Sequence, residues 1–335
     1  MNSSLRGKHF ITTQDWTRDE LDTAFELSRE LKMKFATNEY TDHMLRARTL
    51  FMLFFEQSTR TRNSIEAGMT QLGGHAHDLT PGKLQISHGE VARDTAKVLS
   101  RFGHGIAIRN CFYGTGNDYL RTVEKNSDIP VINMQDDYYH PLQGMADLMT
   151  IMEKIGDPRG VKVTISWAYA TSHAKPLSVP QTQALLFPRY GMDVTFAYPP
   201  EFPLMDSIME KARKNAEENG GSLKVTHDMD EGFEGAHVVI PKSWGGFLGV
   251  EDPDSEEGKE EMKNNLEKNK DWICDERRME LAEKGAYYMH ALPADRGNEV
   301  TDPVVDGPQS IVYDEAENRL HTAKAIMALT MGGRP

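Results

Sequence analysis

Cysteine is nearly absent: Cys111 and Cys274 are the only two in 335 residues. That is too few for a disulfide framework or a thiolate zinc site, and it points to a reducing compartment, the cytoplasm. Long hydrophobic runs are missing too. No stretch approaches the length needed to cross a bilayer, and residues 1–10 lack the apolar segment of a signal peptide. Positive charge is in the minority, with 38 Lys and Arg against 51 Asp and Glu and a net charge of −13. This argues against nucleic acid or an anionic membrane as the main partner, because neither is attracted to such a field. A small anion stays admissible, since a local arginine cluster can oppose the global field. No Gly-x-Gly-x-x-Gly follows a strand, which leaves a nucleotide-dependent oxidoreductase without its fingerprint. No His, Asp or Glu set has metal-ligand spacing, so neither a metal nor a cofactor is expected.

What is present is length and alternation. A chain of 335 residues is about twice a usual domain, and 39% hydrophobic residues can supply two cores. Thr17 and Glu20 have capping-box spacing ahead of Leu21, Phe25 and Leu31, which predicts a first helix. Strands are predicted near residues 49–55, 75–79, 106–109 and 130–134, then near 161–168, 193–197, 224–226, 238–241, 287–290 and 310–313. Helical patterns fall between them, the later ones near 180–190, 204–219, 277–283 and 314–330. The alternation predicts an α/β fold of two doubly wound parallel-sheet domains. Turn formers at 156–160 set the expected boundary. The domains are then 1–155 and 156–313, with the helix 314–331 packing back onto the first. Residues 113–117 read as a turn. Residues 245–270, acidic and poor in apolar side chains, read as a mobile loop with one short helix.

The chemistry begins at Ser58-Thr59-Arg60-Thr61-Arg62, between an apolar strand and a helix carrying Ile65 and Met69. A helix N-terminus has unpaired N–H groups and partial positive charge, hydroxyls add donors, and an arginine fork matches phosphate. An isolated cluster of this kind is more often a capped helix with solvated arginines. Other segments change that balance. Arg109 ends a strand, where ligands sit in open α/β sheets. His140-Pro141-Leu142-Gln143 opens a helix, with His140 and Gln143 three apart. His290-Ala291-Leu292-Pro293 follows a late strand, and a helix carrying Arg319 closes the chain.

In this order and at these spacings, the segments resemble the aspartate/ornithine carbamoyltransferase family over nearly the whole chain. The resemblance implies two α/β domains with an active site between them and a homotrimer with shared sites. The substrates would be carbamoyl phosphate and a small amine or amino acid, with no cofactor. Ser58, Thr59, Arg60 and Thr61 would bind the phosphate, Arg109 and His140 the carbonyl oxygen, and Gln143 and the Leu292 carbonyl the amide. Arg319 would lie on the phosphate side. Arg60, Thr61, Arg109 and His140 would carry catalysis. Lys83 and Gln85 lie in a polar loop that such enzymes offer to a neighbouring subunit. Asn133, Lys242, Ser243, Trp244, His290, Ala291 and Pro293 would line the amine site.

The chain departs from the ornithine enzymes in instructive places. Val239 stands where they carry the Asp that holds an α-ammonium. Lys242-Ser243-Trp244-Gly245 is instead similar to the N-acylornithine carbamoyltransferases and the YgeW-like orphan branch, in which the matching lysine binds a carboxylate. The loop Lys175-Pro176-Leu177-Ser178-Val179-Pro180 resembles the loop that forms a trefoil knot in those relatives, so the resemblance implies a knotted C-terminal domain. Ala291 replaces the cysteine most relatives carry between His and Leu. Asp295 and Arg296 follow, either as part of the amine pocket or as a surface ion pair. The expected function is transfer of a carbamoyl group to the amine of an amino-acid-like acceptor. A non-catalytic or regulatory anion-binding homologue is the alternative, and Ala291 alone favours it.

Overall fold

Leu50, Phe51, Met52, Leu53 and Phe54 are all buried, as a strand must be when helices cover both faces of its sheet. They belong to β1 (Thr49–Phe54) in the computed structural model, which describes residues 5–332. The first four residues of the expected 1–155 domain lie outside the described residues. β1 pairs in parallel with β2 (His75–Leu79) and β3 (Gly105–Asn110), and β3 pairs in parallel with β4 (Val131–Asp136). The order is β2-β1-β3-β4. Ile11, Leu53, Ile106, Ile108, Leu120 and Val131 form part of its core, each such side chain contributing about 1.5–3 kcal/mol by burial.

The second sheet is also parallel. It holds β5 (Lys162–Ser166), β6 (Asp193–Ala197), β7 (Ser222–Thr226), β8 (Val238–Pro241) and β9 (Tyr287–Tyr288), in the order β7-β6-β5-β8-β9. The chain divides into two compact units. One holds the residues up to Ala146 and those from Glu317 onward, and the other is Asp147–Ala316. Each sheet reverses its winding once, between β1 and β3 in the first unit and between β5 and β8 in the second. Open α/β sheets bind ligands outside the strand C-termini at such reversals.

The capping box forms: the Glu20 N–H donates to Thr17 Oγ1 at 3.3 Å, and the Thr17 N–H to a Glu20 carboxylate oxygen at 2.7 Å. Three expectations need correction. The turn at 113–117 runs into a helix, Gly116–Asn126. Gly116 is required there, because a Cβ would lie 2.1 Å from the Asn110 carbonyl oxygen. The one short helix expected within 245–270 is Glu256–Lys268, which takes up half of the segment and is capped by the Ser255 hydroxyl, which accepts the Gly258 N–H at 3.0 Å. Met262 and Leu266, four apart and buried, anchor it. Residues 310–313 are not a strand: Ser310 makes one bridge to Tyr288 and the helix Val312–Met331 begins at once. The helix near 277–283 is the shorter Glu276–Met279, started by Asp275, whose carboxylate accepts the Arg278 N–H at 2.9 Å.

Candidate active site

In the first unit, the helix Arg60–Gln71 starts directly after the β1 loop, and no side chain caps its N-terminus. Its first N–H groups therefore keep the capacity to meet an anion. Thr61, 2% exposed, is held from the far end of the chain: Arg319 Nη2 donates to its hydroxyl at 2.9 Å. Arg319 Nη1 donates to Gln143 Oε1, and all three side chains are buried. Segments remote in sequence, carrying Thr61, Gln143 and Arg319, thus share one hydrogen-bonded cluster. Arg62 is committed elsewhere, paired with Asp78 and stacked 4.1 Å from the Phe54 ring centroid.

Arg109 ends β3 beside β1, at the reversal point. Its Nη1 donates to Gln135 Oε1 on β4, and its buried Nε has no hydrogen-bond acceptor among the described residues. Glu56, in the loop after β1, accepts the Cys111 N–H at 2.8 Å. Burial pushes the Glu56 carboxyl above its ordinary pKa, against the Cys111 hydrogen bond and the Arg109 charge. His140 is buried, and its carbonyl accepts the N–H groups of Gln143 at 3.0 Å and Gly144 at 3.2 Å, which starts the helix Pro141–Ile155.

Asp136 builds the turn that delivers His140. It accepts from Asn117 Nδ2 at 2.7 Å, Asn133 Nδ2 at 2.9 Å and the Tyr138 N–H at 2.8 Å, and also from the Tyr139 N–H. Burial pushes its pKa up to about 7 despite these donors. Asn133 lies on β4 of this unit, wholly buried, with its amide also donating to the Ile11 carbonyl at 2.9 Å. In the loop after β2, Leu84 and Ile86 pack against the core while Lys83 and Gln85 are exposed.

In the second unit, β8 ends at its own reversal point and runs into Lys242-Ser243-Trp244. The Lys242 N–H donates to the Ser166 carbonyl at the end of β5, at 2.8 Å. Trp244 is buried, its Nε1 donating to the Phe202 carbonyl at 3.0 Å and its own carbonyl accepting Trp167 Nε1 at 3.0 Å. Val239 is wholly buried within β8. Ser243 and His290 meet on Glu299, a residue no motif marked. Glu299 Oε1 accepts the Ser243 N–H at 2.7 Å and its hydroxyl at 2.5 Å; Oε2 accepts the Asp295 N–H at 2.6 Å and lies 3.2 Å from His290 Nε2.

His290 Nδ1 accepts the Leu292 N–H at 2.9 Å, so the ring proton belongs on Nε2, facing Glu299. Burial lowers the His290 pKa, with Glu299 opposing. Burial alone would raise Glu299, but His290, Lys242 and Lys175 together hold it well below the usual carboxylate range. Leu292 adopts φ 39°, a region a non-glycine residue occupies at a cost of roughly 1–3 kcal/mol and which clusters at functional sites. Ala291 is half-buried and Pro293 exposed. Arg296 does not pair with Asp295; it holds Asp302 and Asp306, both at 2.6 Å.

The first unit thus gathers Thr61, Gln143 and Arg319 by direct contact, with Arg60, Arg109 and His140 on neighbouring strand and helix ends. The second gathers Ser243 and His290 around Glu299. Asn133, expected on the amine side, is placed in the first unit. Glu56, Asp136 and Glu299 escaped the sequence reading, because a lone acid in a polar turn carries no periodicity or spacing. Among the described residues no group of three His, Cys, Asp or Glu is set to hold a metal.

Comparison with known proteins gives this geometry its context. Residues 8–153 match the family model of the aspartate/ornithine carbamoyltransferase carbamoyl-P binding domain, and residues 159–330 match that of the Asp/Orn binding domain. The chain is 38% identical to an N-acetylornithine carbamoyltransferase of Xanthomonas campestris, covering 97% of this chain and 98% of the relative. It is 36% identical to the putative carbamoyltransferase YgeW of Escherichia coli K12, covering 100% of this chain and 92% of that one. Among solved structures, ornithine carbamoyltransferase from Pyrococcus furiosus superposes with a TM-score of 0.88 at 34% identity, over 99% of both chains. Acetylornithine transcarbamylase complexed with acetylcitrulline gives 0.87 at 36% identity, over 98% of this chain and 100% of that one. With both family domains matched in order along one chain, this protein belongs to the aspartate/ornithine carbamoyltransferase family and is a carbamoyltransferase.

Proposed function

We propose that the enzyme moves the carbamoyl group of carbamoyl phosphate to the amine of an amino-acid-like acceptor whose α-nitrogen is not an ammonium. The observation that carries the phosphate half is the Thr61–Arg319–Gln143 cluster beside an uncapped helix N-terminus. Ser58, Thr59, Arg60 and Thr61 bind the phosphate, and Arg319 fixes Thr61 and Gln143. Arg109 and His140 address the carbonyl oxygen; Gln143 and the Leu292 carbonyl address the amide. The residues up to about 155, with the last helix, form the carbamoyl phosphate domain, and residues 156–313 the acceptor domain, where Lys242, Ser243, Trp244, His290, Ala291 and Pro293 line the amine site.

The neutral acceptor nitrogen attacks the carbamoyl carbon. An N–C bond forms, the C–O bond to phosphate breaks, and the departing phosphate takes the amine's proton. Negative charge gathers on the carbonyl oxygen in between, where Arg109, His140 and Thr61 offer donors. Val239, buried and apolar, supports the exclusion of an α-ammonium, since a charge left there would lack a partner. Incubation with carbamoyl phosphate and ornithine, N-acetyl- and N-succinylornithine, diaminopropionate, aspartate, putrescine and β-alanine is expected to give a ureido product with an N-acylated member. Arg60→Ala should abolish it. Undiminished product from that variant would sink the site assignment.

We place the enzyme in the cytoplasm, consistent with two free cysteines, as a homotrimer whose Lys83 and Gln85 act on a neighbouring subunit. Exposed Val98 and Phe102, four apart on the helix Ala92–Phe102, support an interface beside that loop. Sedimentation should give a trimer, and a fully active monomer would refute the shared site. The reading includes a trefoil knot in the acceptor domain, supported by the resemblance of residues 175–180 to the loop that forms the knot in the N-acylornithine branch. Mechanical extension of the denatured chain by its two ends should stop short of full contour length.

A further inference from the structure

We infer that His290 is a positioning residue: its ring holds the backbone of Leu292 so that the Leu292 carbonyl is presented to the carbamoyl amide. This rests on the carbamoyl-transfer reading, in which that carbonyl accepts from the amide. Nothing of the His290 ring is left to meet a ligand. The side chain has no solvent exposure. Its Nδ1 is taken by the Leu292 N–H at 2.9 Å, and its Nε2 lies 3.2 Å from Glu299 Oε2. The main chain is anchored as well. The His290 N–H donates at 2.8 Å to Glu315, itself 1% exposed. The Met289 N–H before it donates to the Val239 carbonyl at 3.0 Å, which ties the segment to β8.

What the ring holds is a short backbone turn. A side-chain acceptor that takes the N–H two residues on closes the same ring of atoms as an Asx turn. Here the acceptor is a histidine nitrogen, and the residue so held, Leu292, has φ 39°. A leucine rarely keeps that conformation unless its surroundings impose it. The Leu292 carbonyl accepts no hydrogen bond among the described residues. The residue is therefore fixed at its N–H and open at its carbonyl. An acceptor preset in this way loses little freedom when its ligand arrives. Nδ1 accepts only in the neutral tautomer that carries its proton on Nε2, and Glu299 stands opposite that proton. Burial lowers the His290 pKa, which keeps Nδ1 free of a proton. Glu299 and Glu315 thus act on the site through His290, and His290 acts through Leu292. His290 belongs to the amine site as the support of its loop, not as a surface offered to the acceptor.

The test compares carbamoyl phosphate with acetyl phosphate, which keeps the phosphate and the carbonyl oxygen and has a methyl group in place of the amide. Binding of each is measured by calorimetry. The wild type should bind carbamoyl phosphate more tightly. His290→Gln sets its polar atoms near the place of Nε2 and leaves the Leu292 N–H without an acceptor. It should cut the carbamoyl-to-acetyl affinity ratio about fivefold, the worth of one neutral hydrogen bond. His290→Asn sets an oxygen at the place of Nδ1 and gives up Glu299. It should keep most of the ratio. A histidine that only fills the core would move the ratio in neither variant, because acetyl phosphate shares the remaining contacts and cancels general damage. An unmoved ratio in His290→Gln, an equal fall in His290→Asn, or a wild type that binds neither ligand or prefers neither would overturn the inference. Ureido formation from the amines named above scores carbamoyl transfer separately. Product with an unmoved ratio fails His290 alone; a moved ratio without product fails carbamoyl transfer and spares His290.

Discussion

Arg109→Met should lower kcat by about 10²–10³ while leaving the fold intact. The side chain sits at the C-terminal end of β3, at the winding reversal of the first sheet. Only Nη1 is engaged with the protein, on Gln135, and the buried Nε has no acceptor among the described residues. A guanidinium held by one corner is poised without being saturated. Carbamoyl transfer places charge on an oxygen that is neutral in the ground state, so a cation aimed there acts mainly in the transition state. The loss should therefore appear in kcat and in kcat/KM together, with carbamoyl phosphate binding less affected. Methionine preserves bulk, and the buried Gln135 has an interaction besides the one with Arg109. A variant with weaker carbamoyl phosphate binding but unchanged kcat would move Arg109 from the reacting carbonyl to the phosphate.

Glu299→Ala should destabilise the protein by about 3–5 kcal/mol, because it strands a buried histidine and three donors at once. The carboxylate is wholly buried, so solvent cannot replace it at the Ser243 N–H and hydroxyl or the Asp295 N–H. Glu299→Gln should be milder but still harmful. An amide oxygen can serve Ser243, but its NH2 must then face the Asp295 N–H and His290 Nε2–H. His290 cannot shift its proton to relieve this, because Nδ1 already accepts from Leu292.

The pH dependence has a definite sign. Glu299 is held below its ordinary value of 4.5, so its contribution is present above that pH and is lost as pH falls. His290 is lowered from 6.5 by burial, so the unfolded chain takes up a proton the native state refuses, and stability again falls as pH drops below 6.5. Denaturant midpoints should thus decline from neutral pH downward, and Glu299→Gln should flatten the part below pH 4.5. A variant as stable as the wild type at pH 7 would remove Glu299 from this role.

How much of this was legible in the sequence follows from what each residue advertises. Ser58 to Thr61 and Arg109 are chemistry at the ends of apolar runs, and those runs are readable because both sheets are buried on two faces. Sheet order was not readable, since β1, β3 and β4 are almost uniformly buried and nothing local tells a strand its neighbour. The helix Gly116–Asn126 was hidden by its glycine start, which the close approach to Asn110 demands. The short helix expected within 245–270 had its bounds, Glu256–Lys268, hidden by its polar faces, although Met262 and Leu266 carried the four-residue interval. The Arg319 contacts with Gln143 and Thr61 join residues more than a hundred positions apart, and Glu299 gathers donors from two loops. Such partners are fixed by the fold and leave no trace in spacing.

The burial of Val239 bears on how acceptor preference can change over evolutionary time. Its side chain lies inside β8, between paired strands. An aspartate introduced at this position by one substitution would put an unpartnered charge into a sheet interior, which proteins avoid by keeping the group protonated or by losing stability. The intermediate would bind no ammonium well and would fold less well than either endpoint. A chain with valine here is held by its own core, and can gain recognition of a free α-amine at this position only if neighbouring residues change first.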